Sequence, residues 1–324
     1  AVIGMTIGTS FSLAMVLGPA IAYRFGLAGI FYLTAALAVL GIIILYLVIP
    51  NPLKERFHAD SEAKSSLFKS VLANPHLQRL DIGIFCQHFM LTATFFAIPM
   101  ILREQVNLGH LSEQWHFYLP LLVTSFILMV PCIILAEKKR LMKPIFLLSV
   151  LVTSIAQFLL AFYNLNWLDL CLLMFIYFVA FNILEASLPS LISKQANPRH
   201  KGTAMGIYSS GQFLGIFAGG SCAGIIYQWQ GSKGIFVVNA LIASLWFMIA
   251  LYMKPDVYLS TLIVPYPSSA EKEEALIRDL LKLDGIKEVA ISREEAVLYL
   301  HIDKALYKTG CAEALITLHR QNTQ

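Results

Sequence analysis

The sequence predicts an all-α polytopic membrane protein ending in a small α+β domain of βαββα order, and three observations carry that prediction. Hydrophobic residues make up 57% of the 324 and charged residues only 14%, against roughly 45–50% and about 25% in a soluble domain. Apolar runs of roughly 20 residues, enough to cross a bilayer, recur as far as residue 253, and charged residues between them gather in a few loops. After Lys254-Pro255 the pattern changes to the alternating and helical periods of a water-soluble fold.

Taken in order, spans are expected at about 2–23, 27–49, 80–102, 115–136, 144–163, 167–190, 203–227 and 234–253, which makes eight crossings. The gaps carry breakers or polar signals: Pro50 and Pro52, Gly109, the Lys138-Lys139-Arg140 run, Asn164 and Asn166, Pro198, and Gly231. One set of alternate loops holds Lys54, Arg56, Lys64, Lys69, Arg79, Lys138, Lys139, Arg140, Lys143, Lys194, Arg199 and Lys201. The other set holds only Arg24, Arg103 and Lys233. The first set is therefore expected on the cytoplasmic side, together with both ends of the chain. The net charge of +4 reads as this topological marking, and no nucleic-acid partner is expected.

Four segments follow: 1–50 with two spans, a polar linker over 51–79, a six-span bundle over 80–254, and a soluble domain over 255–324. The linker contains Asp60-Ser61-Glu62 and an amphipathic run from Ser65 to Leu72, as a hinge between two bundles would. Two spans before it and six after are unequal, and four further spans ahead of residue 1 would restore a six-plus-six arrangement. The first and seventh spans echo one another at an offset that sets Gly18 on Gly219 and Pro19 on Gly220, as parallel repeats do. Recurring small residues are also common in any packed membrane helix.

The soluble segment reads as a strand over Leu259 to Val264, a helix over Ala270 to Leu283, strands over Lys287 to Ser292 and Ala296 to Ile302, and a helix over Gly310 to Arg320. That order is a ferredoxin-like unit lacking its final strand. The five cysteines, at 86, 132, 171, 222 and 311, form no close pair, so spacing supports neither a disulfide framework nor a metal site. No phosphate loop or paired catalytic carboxylates are visible, so the sequence offers no catalytic residues and the chain is not expected to be an enzyme.

Gly18-Pro19 is the clearest mechanical feature. Pro inside a helix removes a donor and bends the span, and Gly beside it admits a neighbouring helix. With Gly8 and Ala14 it forms a smooth face suited to sealing against a partner. Asn182 and Glu185 share one face of the sixth span. An ionisable group at membrane depth costs about 2.5–3.5 kcal/mol and usually faces a cavity or a partner. Glu185 is thus a candidate proton carrier, or else a structural partner of a basic loop residue. His88, beside Gln87 in the third span, is the second titratable candidate. Asn182, Gln87, Ser209, Ser210 and Gln212 are candidates to line a polar cavity, with Phe178, Phe181, Phe95, Phe96 and Tyr208 as aromatic walls. Glu137 with Lys138, Lys139, Arg140 and Lys143 forms a candidate cytoplasmic latch whose charges pair across helix ends in one conformation and part in another.

The segments AMVLGP from Ala14 to Pro19, AEKKRLMK from Ala136 to Lys143, FVAFNILEASLPSLISK from Phe178 to Lys194 and KGTAMGIYSSGQFLG from Lys201 to Gly215 resemble the major facilitator superfamily. Within it they are most similar to bacterial drug:proton antiporters of the YajR type. The resemblance covers the whole chain and implies the major facilitator fold, with the spans present as helices five to twelve of twelve. It makes Gly8, Ala14, Gly18 and Pro19 the antiporter motif, departing from the usual pattern at Ala20-Ile21-Ala22-Tyr23, and places Glu137 where an Asp is usual in the second-half loop motif. It further implies proton-coupled export of a small lipophilic solute by a monomer in the bacterial inner membrane. The proton gradient would supply the energy, no cofactor would be needed, and the terminal domain would dock on the cytoplasmic loops. An importer of the same fold, or a membrane sensor signalling through the terminal domain, remains the alternative.

Overall fold

The computed structural model describes residues 2–50, 65–162, 166–197, 200–253, 259–266, 273–292, 297–303 and 306–321. Most of the predicted linker, 51–64, lies outside them, as do the expected start of the terminal domain's first helix and Ala296 at the start of its last strand. The described elements are α1 (Val2–Leu47), α2 (Ser65–Leu72), α3 (Pro75–Asn107), α4 (Trp115–Lys138), α5 (Met142–Phe162), α6 (Trp167–Gln195) and α7 (Lys201–Leu251). The terminal domain follows with β1 (Leu259–Pro265), α8 (Glu273–Leu281), β2 (Ile286–Ser292), β3 (Val297–Asp303) and α9 (Cys311–Gln321).

Six of these helices are long and apolar enough to cross a membrane, where the sequence reading expected eight crossings. The difference lies in α1 and α7, which at about 1.5 Å per residue are each more than twice the thickness of a bilayer core. Each is broken at one glycine whose dihedrals are not helical: Gly26 (φ 67°) in α1 and Gly231 (φ 63°) in α7. Left-handed φ costs a residue with a Cβ about 1–2 kcal/mol, so glycine is the residue that permits the reversal.

Packing shows that the two parts of α7 run in opposite directions. Before Gly231, Gly211, Gly215 and Gly219 lie in turn against the backbone of Asp81, Phe85 and Phe89, so this half ascends with α3. After Gly231, Asn239 reaches the Met90 carbonyl and Trp246 covers Gly83, so the second half descends. A Cβ on Gly215 or Gly219 would collide with the Phe85 or Phe89 carbonyl. Helices in lipid gain little from the hydrophobic effect and associate through such close approach.

The sequence also explains where the spans begin. Asn74 accepts a hydrogen bond from the His76 amide ahead of Pro75, and Asn166 accepts from the Asp169 amide, so α3 and α6 both start at capped asparagines. Inside the bundle, Thr94, Gln157 and Asn239 tie α3, α5 and the second half of α7 together, with Gln157 Nε2 and Asn239 Nδ2 both donating to Thr94 Oγ1. Asn239 also donates to Gln157 Oε1.

Gly18 meets no neighbouring helix among the described residues. A Cβ on Gly18 would meet nothing within 4 Å, and the break in α1 falls at Gly26 while the helix continues through Pro19. Ala14 is exposed, and Gly8 and Pro19 have side-chain surroundings outside the described set. The echo of Gly18, Gly219, does approach another helix closely, at Phe89. From Arg24 to Leu47 the helix carries apolar side chains on every face and buries none of its most apolar window. That surface suits lipid or other helices.

The terminal domain is a three-stranded antiparallel sheet in the order β1-β3-β2 with two helices. Leu262 pairs with Leu300 and Val289 with the same residue from the other side, so β3 is the central strand. Its core contains Val264, Leu276, Leu280, Leu298, Leu300 and Ile316.

Candidate functional site

Three helices bring their polar side chains to one place inside the bundle. Gln87 and His88 come from α3, Glu185 from α6 and Gln212 from α7. Gln87, His88 and Glu185 are 2%, 4% and 4% exposed, so water does not satisfy them and their partners must. Gln87 Nε2 donates to Glu185 Oε2 at 3.0 Å and lies 3.4 Å from the Phe181 carbonyl. His88 Nε2 is 3.7 Å from the same carboxylate oxygen. Gln212 Nε2 is 2.8 Å from His88 Nε2, and His88 Nδ1 is 3.3 Å from the Ile84 carbonyl.

These contacts constrain the proton inventory. A carbonyl opposite Nδ1 requires a proton on Nδ1, because a carbonyl only accepts. With Nδ1 protonated, neutral His88 presents a lone pair at Nε2, to which the Gln212 amide donates. Glu185 Oε2 then faces a second acceptor at 3.7 Å. At that distance the two groups make no direct hydrogen bond, and they stand as neighbouring titratable side chains inside the bundle. A charge-assisted hydrogen bond contributes about 1.5–3 kcal/mol, similar to the cost of about 2.5–3.5 kcal/mol for a charge at a helix centre. The Gln87 bond therefore offsets part of the cost of placing Glu185 at this depth.

Depth follows from helix geometry. At about 1.5 Å per residue, Glu185 is ~15 Å from the end of α6 at Gln195, and His88 is ~20 Å from the start of α3 at Pro75. Both ends lie on the side of the basic loops. The alternative in which Glu185 pairs with a basic loop residue is not what the geometry contains: its partners are Gln87 and His88, and Lys194 bonds to Glu137.

The other expected residues divide. Phe181 packs edge-on against the His88 ring at 6.2 Å. Asn182 donates to Ser125 on α4, a residue the sequence reading did not single out. Phe178 is fully buried and 5.8 Å from Phe95, which in turn stacks on Tyr118 at 5.6 Å. Phe96 contacts Tyr227, on the first half of α7. Ser210 bonds back to its own helix at Gly206 and is exposed; Ser209 is half-buried, and neither joins the cluster. A cavity of about 470 Å³ opens at the opposite end of α3 and α4, lined by Phe95, Pro99, Arg103, Gln114, Trp115 and Tyr118. His88 and Phe95 are seven residues apart and share a face of α3, so one face connects the polar cluster to this aromatic cavity.

At the basic end the expected latch residues take separate partners. Glu137 Oε1 accepts from Lys194 Nζ at 2.7 Å, joining the ends of α4 and α6 within one bundle. Arg140, held at φ 56°, forms a two-pronged pair with Asp303 at the end of β3, Nη1 donating to Oδ2 at 3.0 Å and Nη2 to Oδ1. Lys138 and Lys139 are exposed and Lys143 is half-buried.

The sequence matches the Major Facilitator Superfamily family model over residues 1–140 and 80–292. It is 40% identical to the Inner membrane transport protein YajR of Escherichia coli (strain K12) over 303 residues, covering 94% of this chain and 66% of that protein. It is 28% identical to an uncharacterized transporter of Buchnera aphidicola subsp. Baizongia pistaciae over 255 residues, covering 77% of this chain and 64% of the relative. A second uncharacterized transporter, from subsp. Acyrthosiphon pisum, is 31% identical over 222 residues, with 68% and 56% covered. The chain thus spans at most about two thirds of the length of these curated relatives. With the family model covering well over half of the chain and its helices packed as a multi-pass membrane bundle, the protein belongs to the Major Facilitator Superfamily.

Proposed function

We propose that this chain is the greater part of a secondary transporter of the bacterial inner membrane that exports a small lipophilic solute in exchange for protons. The observation that carries this reading is the Glu185–His88 pair, two titratable side chains brought within 3.7 Å of each other inside the bundle where α3, α6 and α7 meet. Gln87 Oε1 is a buried acceptor without a partner beside it, suited to a donor on the solute. The aromatic residues along α3 and α6 provide an apolar wall for the rest of such a molecule. Solute and proton would compete at neighbouring groups, so that loading one releases the other as the two bundles rock. The relatives are named as transporters, which supports transport in general, and the basic loops support a cytoplasmic position for that end and for the terminal domain.

The βαββα order and the β1-β3-β2 sheet fit a ferredoxin-like unit without its last strand. We read the Arg140–Asp303 pair as its docking point on the loop between α4 and α5. Replacing Asp303 with Asn should free the domain, because it removes the charge opposite Arg140 with little change in shape. Spin labels on β3 and on α5 of the full-length protein should then report a broadened distance distribution. An unchanged distribution would show that this pair does not hold the domain.

The transport reading is tested with full-length protein in sealed vesicles. An imposed pH gradient should drive movement of lipophilic dyes such as ethidium, and a dye gradient should drive protons the other way. If no solute tried across a broad lipophilic panel moves with the gradient, the antiport reading fails. Uptake toward the proton-poor side, in step with the proton, would select the importer instead.

A further inference from the structure

Asp81 is a carboxylate that neither the packing nor the cluster explains. It lies on α3 seven residues before His88 and therefore on the same face, ~10 Å nearer the basic end at about 1.5 Å per residue. Its Oδ1 is shielded from solvent and has no hydrogen-bond partner. A buried carboxylate oxygen without a partner is costly, and such groups in membrane segments mark ion and proton routes. Tyr208 on the adjoining α7 is 4% exposed and within electrostatic reach of both Glu185 and Asp81. Tyr208 is one helical turn before Gln212, the residue bonded to His88. The charged groups nearby are otherwise engaged or outward: Arg79 bonds to the Tyr252 carbonyl and to His76, and Lys201 is exposed.

We propose that Asp81 is the proton-exchange group of the basic end, passing protons between water there and the Glu185–His88 pair through the Tyr208 hydroxyl and intervening water. The Asp81 carboxyl releases its proton toward the phenol oxygen as the phenol proton moves on to Glu185, leaving an Asp81 carboxylate that reloads from water. The phenol ends as it began, and no other reactant is consumed. This rests on the reading of Glu185 as a proton carrier. Asp81 is a relay and not the store.

The test is a pH-jump on purified full-length protein, followed by time-resolved infrared absorption of the protonated Glu185 carboxyl, a band assigned by its loss in Glu185→Gln. Asp81→Asn should slow protonation of Glu185 about tenfold or more, with the thermal midpoint unchanged. Asp81→Glu should restore the rate, and so should added formate or azide, which carry protons past a missing relay. Tyr208→Phe should slow it as well. Wild-type kinetics in Asp81→Asn overturn the proposal. Slowing that neither Glu nor formate repairs assigns Asp81 a structural role and overturns it equally. If Glu185 shows no titrating band in the wild type, the proton-carrier reading falls, and this proposal with it.

Discussion

Glu185→Gln should abolish proton-coupled flux while leaving the protein folded and able to exchange solute for solute. Gln has the shape of Glu and keeps an acceptor for the Gln87 amide, so the α3–α6 contact survives. What is lost is the group that carries a proton. A pH gradient should then drive about tenfold less solute or none, whereas exchange of labelled for unlabelled ethidium, which needs no net proton movement, should persist. Removing an ionisable group costing about 2.5–3.5 kcal/mol at a helix centre should leave the thermal midpoint unchanged or raised. Retained coupling in this variant would shift the proton to His88 or elsewhere; loss of both fluxes would make Glu185 a residue of solute binding.

Gly219→Leu should prevent α7 from seating on α3. A Cβ at this position collides with the Phe89 carbonyl, and the obstacle is backbone that cannot rotate away. Overpacking costs about 1–3 kcal/mol where side chains can adjust, so Gly219→Ala should already lower the melting temperature, and Leu should reduce the yield of folded protein sharply. The Gln212–His88 bond lies on the same interface, so any Gly219→Ala protein that folds should also couple poorly. Gly224→Ala is the control. Nothing lies within 4 Å of its added Cβ, and Ala is favoured over Gly in a helix by about 1 kcal/mol. It should be neutral or stabilising. Equal damage at both positions would mean that chain flexibility, rather than close approach, is what these glycines provide.

How much of this was legible in sequence depends on the range of the forces involved. Spans are a local property: a run of apolar residues with capped asparagines and prolines at its start specifies a helix whatever it later packs against, so α3 to α6 begin and end within a few residues of expectation. The strands of the terminal domain follow for the same reason. Local pattern marked Gly231 as the break between two spans, which is where α7 turns back, but it did not specify which residues of α3 each half packs against. Nor did it separate Gly18 from Gly219, which look alike as residues and differ only in whether another backbone stands beside them.

The candidate site shows the same division. Composition and span depth alone single out Glu185 and His88, because a titratable side chain inside an apolar run is conspicuous wherever it faces. Their meeting is a different matter, since they are 97 residues apart and touch through the crossing of three helices. Neither Asp81, whose Oδ1 is shielded from solvent, nor Ser125, which accepts from Asn182, was singled out by the sequence pattern. The sequence by itself determined that the chain crosses a membrane, which of its ends is basic and which titratable side chains fall inside apolar spans, since each depends on the transfer of single residues or short segments out of water. The tertiary structure alone decided which of those residues meet and which glycines bring helices together, because hydrogen bonds and steric contact act over a few ångströms between groups remote in the chain.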